Sequence, residues 1–181
     1  KSKEFNFTIE DVHGNPISDK FEENLDNNCQ FYQQIVLYID NRKVKKLLYI
    51  APHLSTGGLP QYLTKKIELL KDEYEIHLVE WVDVTGGRLV VTKNKVLALV
   101  PENRFYTLGE DKMELIDIIN KIKPDIVHSE EIPEFYMPNE IAQKLYATDR
   151  TYKIVETSHD SSFDIEQKRF FPDKFMFVSQ W

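Results

Sequence analysis

The sequence predicts an α/β protein built on a doubly wound, mostly parallel sheet. Short apolar runs that are typical of buried strands recur along the chain, and segments with helical spacing separate them. Polar residues follow most of the apolar runs directly. This alternation is the rhythm of βαβ units, in which parallel strands are joined by helices. At 181 residues the chain has room for one ordinary domain of this class and some additional sequence.

The first unit of the predicted sheet is the clearest. The run LLYIA over 47–51 reads as a buried strand, and Gly57 and Gly58 form the turn that follows it. A helix is expected over 61–71, with its polar face in solvent. That face carries Lys65, Lys66 and Glu68. Ligands of doubly wound sheets bind beside such a turn.

The other elements follow the same rhythm as far as Trp181. Further strands are expected over 75–82, 105–108, 125–128, 153–157 and 175–178, and further helices over 111–122 and 139–147. The stretch 88–92 reads as a strand and 95–100 as a second apolar patch, which together suggest a β-hairpin. Residues 170–173 are expected to form a turn or a half-helix.

Residues 1–43 have a different pattern from the rest. Phe5, Phe7 and Ile9 alternate with polar residues, and IVLYI over 35–39 is a second apolar run. We expect a short β-rich appendage or the tail of a preceding domain, ahead of a domain over 44–181. Since the first residue is Lys1 and not methionine, we expect the chain to belong to a longer protein.

Composition restricts the class of protein. A net charge of −7 and an isoelectric point near 5.3 argue against nucleic acid as a partner, because nucleic-acid binding needs basic patches. The single cysteine, Cys29, cannot form an intrachain disulfide, and a reducing cytoplasm is the simplest compartment. No apolar run approaches the roughly 18 residues of a membrane helix, and no signal-peptide core is present. Peripheral contact with a membrane stays open.

Three of the five histidines, His53, His128 and His159, fall at strand ends predicted to share one edge of the sheet. That edge is where open α/β sheets bind their ligands. Gly57-Gly58 lies there too, and two readings are open: an approach of backbone N–H groups to an anion, or a tight turn without a ligand. The sequence around them matches neither G-x-G-x-x-G nor a Walker A loop.

The histidines allow more than one chemistry. His159 fits a general base, a partner for a hydroxyl, a metal ligand or an ordinary loop residue. His128 with Glu130 and Glu131 contains metal-ligating residue types, but without the helical H-E-x-x-H spacing, and a structural role for His128 is at least as good. Nucleophilic hydrolysis lacks support, because no G-x-S-x-G elbow is present.

Four segments occur in the order KKLLYIAPHLSTGGLPQYL, KPDIVHSEE, YKIVETSHDSS and KFMFVS. Through these four segments, residues 44–181 resemble the N-terminal domain of GT-B glycosyltransferases, above all the retaining group called glycosyl transferases group 1 or family 4. The resemblance lies in a first strand leading to a Gly-Gly loop and helix, a PDIVH strand, a strand ending in T-x-HD and a strand reading F-V-S. Residues 1–43 lie outside it.

The resemblance implies two Rossmann-like domains that face each other across a cleft, the N-terminal one mainly binding acceptor and the C-terminal one the sugar nucleotide. It implies that Gly57-Gly58 approaches the donor diphosphate or the acceptor, and that His159 reaches the transferred sugar as the catalytic residue. The remaining residues assigned to substrate or donor binding are Asp160, His128 and Glu131. The implied partners are a nucleotide sugar and a glycan or lipid-linked acceptor, with no cofactor and no metal.

The family's E-x₇-E region belongs to a C-terminal domain that this sequence does not contain. We therefore expect the parent chain to supply that domain, and this chain alone to transfer no sugar. Two other classes stay open. One is a non-catalytic binding module that keeps the fold, since a fold does not imply a function. The other is a nucleotide-binding oxidoreductase, against which the missing G-x-G-x-x-G argues.

Overall fold

The computed structural model describes residues 44–86, 90–130, 137–159 and 164–178. Its centre is one sheet of six strands: β1 (Lys45–Ala51), β2 (Tyr74–Glu80), β3 (Phe105–Thr107), β4 (Ile126–Glu130), β5 (Lys153–Ser158) and β6 (Lys174–Phe177). Every pairing in it is parallel, and the order is β3-β2-β1-β4-β5-β6. The prediction of a doubly wound, Rossmann-like α/β fold is confirmed. The appendage predicted for residues 1–43 lies outside the described residues.

Within the described residues, four helices flank the sheet: α1 (Gly58–Leu70), α2 (Val91–Leu97), α3 (Glu114–Ile122) and α4 (Asn139–Leu145). Single 3₁₀ turns occur at Glu102–Arg104 and Ile165–Gln167. The segment 170–173, expected as a turn or half-helix, is an irregular connection into β6. In the described part of the chain, no helix is long and apolar enough to cross a membrane.

Alternation along the strands divides the core into two layers. Leu47, Tyr49 and Ala51 of β1 face α1 and α2, whereas Leu48 and Ile50 face α3 and α4. Side chains of successive strand residues point to opposite faces, so a strand covered by helices on both sides must be apolar throughout. The run LLYIA meets this requirement, which is why it forms the centre of the sheet.

The predicted β-hairpin over 88–100 is wrong. Residues Val91–Leu97 form α2 instead, and Val96 packs from it onto the sheet. The reason is topological: β3 pairs in parallel with β2, and parallel neighbours need a crossover across one face. After a hairpin, the chain would return to the carboxyl end of β2, whereas a parallel β3 must begin at the opposite end of the sheet. Residues 87–89 lie outside the described residues.

The strand order places a switch point between β1 and β4. Chain connections run outward in one direction from β1 to β3 and in the other from β4 to β6. At such a point the loops after the two central strands diverge to opposite faces, which opens a crevice at their carboxyl ends. The candidate site lies at this edge.

Candidate functional site

The site is built from the carboxyl ends of β4 and β5 and from the helix that follows β1. His128 and Glu130 are two residues apart in β4, and Thr157 and His159 are two residues apart at the end of β5. The period of two puts each pair on a single face of the sheet. The face is the one that α1 covers, so Tyr62 and other residues of α1 reach these pairs from above.

A buried ion pair lies at the centre. Lys66 of α1 donates to Oε1 of Glu130 in a short contact, and the Glu130 side chain is 0% exposed while that of Lys66 is 13% exposed. The Lys66 ammonium also lies 3.2 Å from Nε2 of His128. Because an unpaired buried carboxylate is strongly unfavourable, the ammonium is what allows Glu130 to stay in the interior.

Two tyrosine rings surround the same ammonium. Nζ of Lys66 lies 5.2 Å from the ring centroid of Tyr49 and 5.0 Å from that of Tyr62, within the range of cation–π attraction. Burial lowers the pKa of Lys66, and the charge of Glu130 opposes that effect. Burial likewise raises the pKa of both tyrosines, with Glu130 as the second cause.

His128 is held as a neutral, structural side chain. Its Nε2 lies 2.7 Å from Oγ1 of Thr157, and its ring packs on Tyr49 at 5.2 Å between centroids. The pKa of His128 is lowered to about 4, mainly by burial; the charge of Glu130 opposes this effect, and Lys66 and His159 add to it. At neutral pH the ring therefore carries no charge. The geometry supports the structural alternative for this histidine.

His159 is the more accessible histidine, with 14% of its side chain exposed. Its Nε2 lies 3.3 Å from Oε2 of Glu130, the oxygen not used by Lys66. The edge of Tyr62 contacts the ring at 5.2 Å between centroids and an interplanar angle of 81°. Tyr62 belongs to the helix that Gly57 and Gly58 begin, so the predicted histidine and the predicted glycine turn meet through this contact.

Gly57 and Gly58 lie exposed at the start of α1. Gly57 is the N-cap, with φ 101° and ψ −174°, and no side chain caps the helix there. This backbone region is essentially limited to glycine. A Cβ atom at either position would meet no heavy atom within 4 Å, so the described residues leave the backbone open. Gly57 has the positive φ that a tight turn requires, and the space beside both residues leaves the two readings open.

A second buried carboxylate binds the loop that joins β1 to α1. Oε1 of Glu80, at the end of β2, accepts from the backbone N–H of Leu54, and Oε2 accepts from Lys93 at 2.6 Å and from Thr107 at 3.2 Å. In dinucleotide-binding sheets an acidic residue about 20 positions after the glycines binds the ribose. Glu80 has a comparable place in the chain, but both of its oxygens are engaged inside the protein. This disfavours the oxidoreductase alternative.

His53 lies on the loop after β1, as expected, and its Nδ1 is 3.0 Å from Oγ of Ser55 in the same loop. Nε2 of His77, in β2, lies 2.8 Å from Oε1 of Glu75 in the same strand. Asp160 and Glu131, both assigned to substrate binding, lie outside the described residues. Within the described ranges, no group of three or more His, Cys, Asp or Glu side chains has the arrangement of a metal site.

Sequence reasoning missed Lys66, Tyr62 and Thr157 as members of the site, and placed Lys66 wrongly in solvent. Lys66 lies beside Ile67, on the flank of the buried stripe, one turn after Tyr62. Its ammonium points inward because Glu130 lies under the helix. The sequence VHSE over 127–130 contained a signal for Lys66. The period of two along a strand puts His128 and Glu130 on one face, and a carboxylate buried there needs a cation, which the helix that covers this face can supply.

Comparison with protein-family models, with curated proteins and with solved structures gives no match to this chain. The resemblance to GT-B glycosyltransferases thus rests on the four sequence segments alone. What the structure adds is their placement: the segments supply β1 with the start of α1, β4, β5 and β6.

Proposed function

We propose that residues 44–181 are the acceptor-side half of a retaining GT-B-type glycosyltransferase, which transfers a sugar from a nucleotide-sugar donor to a glycan or lipid-linked acceptor. One observation carries the proposal: His159 packs against Tyr62, on the helix that Gly57-Gly58 begins, beside the switch point of the sheet. Two segments far apart in sequence thus contribute to one edge, where open α/β sheets bind ligands.

The proposal gives each part a role. The open backbone at Gly57-Gly58 permits close approach of a substrate group, and the helix end favours negative charge. His159, supported by Glu130, hydrogen bonds the sugar that is transferred. Stabilisation of the departing nucleoside diphosphate is the task of a second Rossmann-like domain of the parent chain.

A non-catalytic binding module is the second candidate, because the same edge binds a glycan equally well without transfer. The oxidoreductase alternative is weaker, since Glu80 is engaged by Leu54, Lys93 and Thr107. The discriminating property is turnover of a sugar nucleotide.

The experiment uses the full-length parent protein with a panel of nucleotide sugars, and measures release of the nucleoside diphosphate and transfer to glycan acceptors. We expect turnover, and we expect His159→Ala to lower kcat by about tenfold, because loss of a hydrogen bond of roughly 1.4 kcal/mol changes a rate by that factor. Circular dichroism should still show the native fold, whereas the midpoint of thermal unfolding should fall, because Oε2 of the buried Glu130 loses its hydrogen-bond partner.

Lys144→Ala on α4 is the matched control, because its side chain is 47% exposed and pairs only with Glu140 among the described residues. It should keep full activity. Binding of glycans without turnover of any donor would favour the binding module. Full activity of the His159→Ala protein would remove this histidine from the site.

A further inference from the structure

We propose that Glu130 is the positioning residue of His159, and that it sets the tautomer in which the imidazole meets its ligand. In this arrangement Nε2 of His159 carries the proton and donates to Glu130, and Nδ1, to which no described residue donates a hydrogen bond, is the acceptor of the ring. The identity of the ligand as a sugar rests on the proposed function, whereas the tautomer does not.

The assignment follows from which groups can donate. Glu130 is fully buried and paired with the Lys66 ammonium, so it is an ionised carboxylate that only accepts hydrogen bonds. The atom of His159 that lies 3.3 Å from Oε2 is Nε2, so that nitrogen must be the donor. The hydrogen bond made by one ring nitrogen determines the state of the other.

Glu130 is itself held in place from both sides. Lys66 binds Oε1, and the parallel pairing of Glu130 with Thr157 of β5 fixes the backbone. The carboxylate therefore offers Oε2 at a constant position. A carboxylate on a loop would change position together with the histidine. A carboxylate at the end of a central strand keeps its position and therefore restrains the imidazole.

Tyr62 restricts the orientation of the His159 ring. Its edge-on contact with His159 at 81° restricts rotation about the bond that links the imidazole to the backbone. Tyr62 and Lys66 are one helical turn apart on α1, so the same helix orients both the carboxylate and the histidine.

The consequence is a preference for the ligand group. A neutral imidazole with its proton on Nε2 offers a lone pair at Nδ1, which accepts from a hydroxyl but gives nothing to a carbonyl or a phosphate oxygen. In the proposed function, His159 thus selects a sugar with a hydroxyl at the contacted position. The analogue that lacks this hydroxyl leaves the acceptor unpaired.

The tautomer is measured on the 181-residue chain by ¹⁵N NMR of the imidazole nitrogens at pH 8, with His159→Gln to assign the signals. We expect the Nε2–H form of His159 in the unmodified protein. In Glu130→Gln, the amide oxygen faces Lys66 and the amide NH₂ faces His159, so we expect conversion to the Nδ1–H form. Glu140→Gln, an exposed site on α4, removes the same charge and should leave the tautomer unchanged.

Lys66→Arg keeps a cation on Oε1 and should keep the Nε2–H form. In the parent enzyme, Glu130→Gln should lower kcat/KM by roughly ten- to hundredfold, as when partners that orient a ligating histidine are lost. The Nδ1–H form in the unmodified chain would overturn the proposal, even if no variant folds. Absence of sugar transfer with the Nε2–H form present would overturn the proposed function and leave the positioning role intact.

Discussion

Gly57 and Gly58 are neighbours whose backbones have different requirements. Gly57 has φ 101°, which other residues adopt only with strain, whereas Gly58 has the ordinary backbone of the first helical residue. Both lie exposed, and a Cβ atom at either position would meet no heavy atom of the other described residues within 4 Å. Substitutions at the two positions therefore test different things: at Gly57 the backbone conformation that the fold needs, and at Gly58 the open space that a ligand would need.

Gly57→Ala should lower the free energy of unfolding by about 1–3 kcal/mol, because the new residue must hold a region essentially limited to glycine. Gly58→Ala should leave it unchanged or raise it by up to about 1 kcal/mol, because alanine restricts the unfolded chain. Urea denaturation of the 181-residue chain measures both. Equal losses in the two variants would contradict the backbone argument.

In the parent protein, the Gly58→Ala variant also tests the proposed approach of a substrate. A methyl group there occupies space that the described residues leave open, so lower turnover with unchanged stability would indicate a ligand beside α1. Unchanged turnover would place the substrate elsewhere.

His128 makes the stability of the domain depend on pH. Its pKa in the folded state is about 4, below the value of 6.5 that is ordinary for histidine, so between these values the unfolded chain binds more protons. The stabilisation is thus fully present above about pH 6.5 and is lost as the pH falls towards 4. From pH 7 to pH 4.5 this amounts to roughly 2–3 kcal/mol.

Urea denaturation at the two pH values, with the unmodified chain and with His128→Gln, checks this expectation. The variant cannot take up the proton, so its loss of stability should be smaller by that amount. Asp173 has a lowered pKa, mainly because the backbone N–H of Ile154 and the Arg150 side chain bind it, but it contributes equally in both proteins. Identical pH dependence in the two proteins would contradict the assignment of the buried neutral ring.

At the scale of elements, buried carboxylates at strand ends join the helices and loops to the sheet. Glu130 joins β4 to α1 through Lys66, and Glu80 joins β2 to α2, β3 and the loop after β1. On the other face, Glu156 of β5 receives Lys168 at 2.8 Å, which attaches the segment leading to β6. Each carboxylate thus attaches neighbouring elements to the end of a strand, as apolar packing attaches them to the middle of the strand.

The Glu80–Lys93 pair should show strong coupling in a double-mutant cycle of Glu80→Gln and Lys93→Met. Each single change removes the shorter ion pair of a buried group, although Lys93 keeps Asp83 at 3.4 Å and Glu80 keeps the backbone N–H of Leu54 and the hydroxyl of Thr107. We expect a coupling free energy of roughly 1–3 kcal/mol in urea denaturation. The matched control is Glu140–Lys144, an exposed pair with i, i+4 spacing on α4. Its coupling should stay below about 0.5 kcal/mol, and similar values for the two pairs would contradict the role of burial.

At the scale of the whole molecule, the strand order determines which residues can form a site. The glycine turn follows β1, Glu130 ends β4 and His159 follows β5, and these three strands are adjacent in the sheet although far apart in the chain. A different order with the same strands would separate them. The proposed transfer of a sugar, like binding of any ligand at this edge, depends on the reversal of strand order between β1 and β4.

The local pattern of the sequence was enough to predict the class of fold and most of its elements. LLYIA at the centre, the stripe of α3 and the apolar runs of β4 and β5 were identified because burial on both faces demands an unbroken apolar run, and burial on one face of a helix demands a stripe. The glycine turn and His159 were found because their position after a strand follows from the same pattern. The segment that forms α2 was mistaken for a hairpin, because a short segment with few apolar residues has no clear period.

Only the tertiary structure decided which polar residues meet. Lys66 looks like a solvent-exposed lysine in the sequence, and it is drawn inward because β4 places the carboxylate of Glu130 beneath α1, 64 residues away in the chain. Likewise, Glu130 rather than a nearer residue orients His159, because β4 and β5 are paired in register. Apolar burial is a property of each segment and can be read locally, whereas the pairing of buried charges depends on which strands become neighbours.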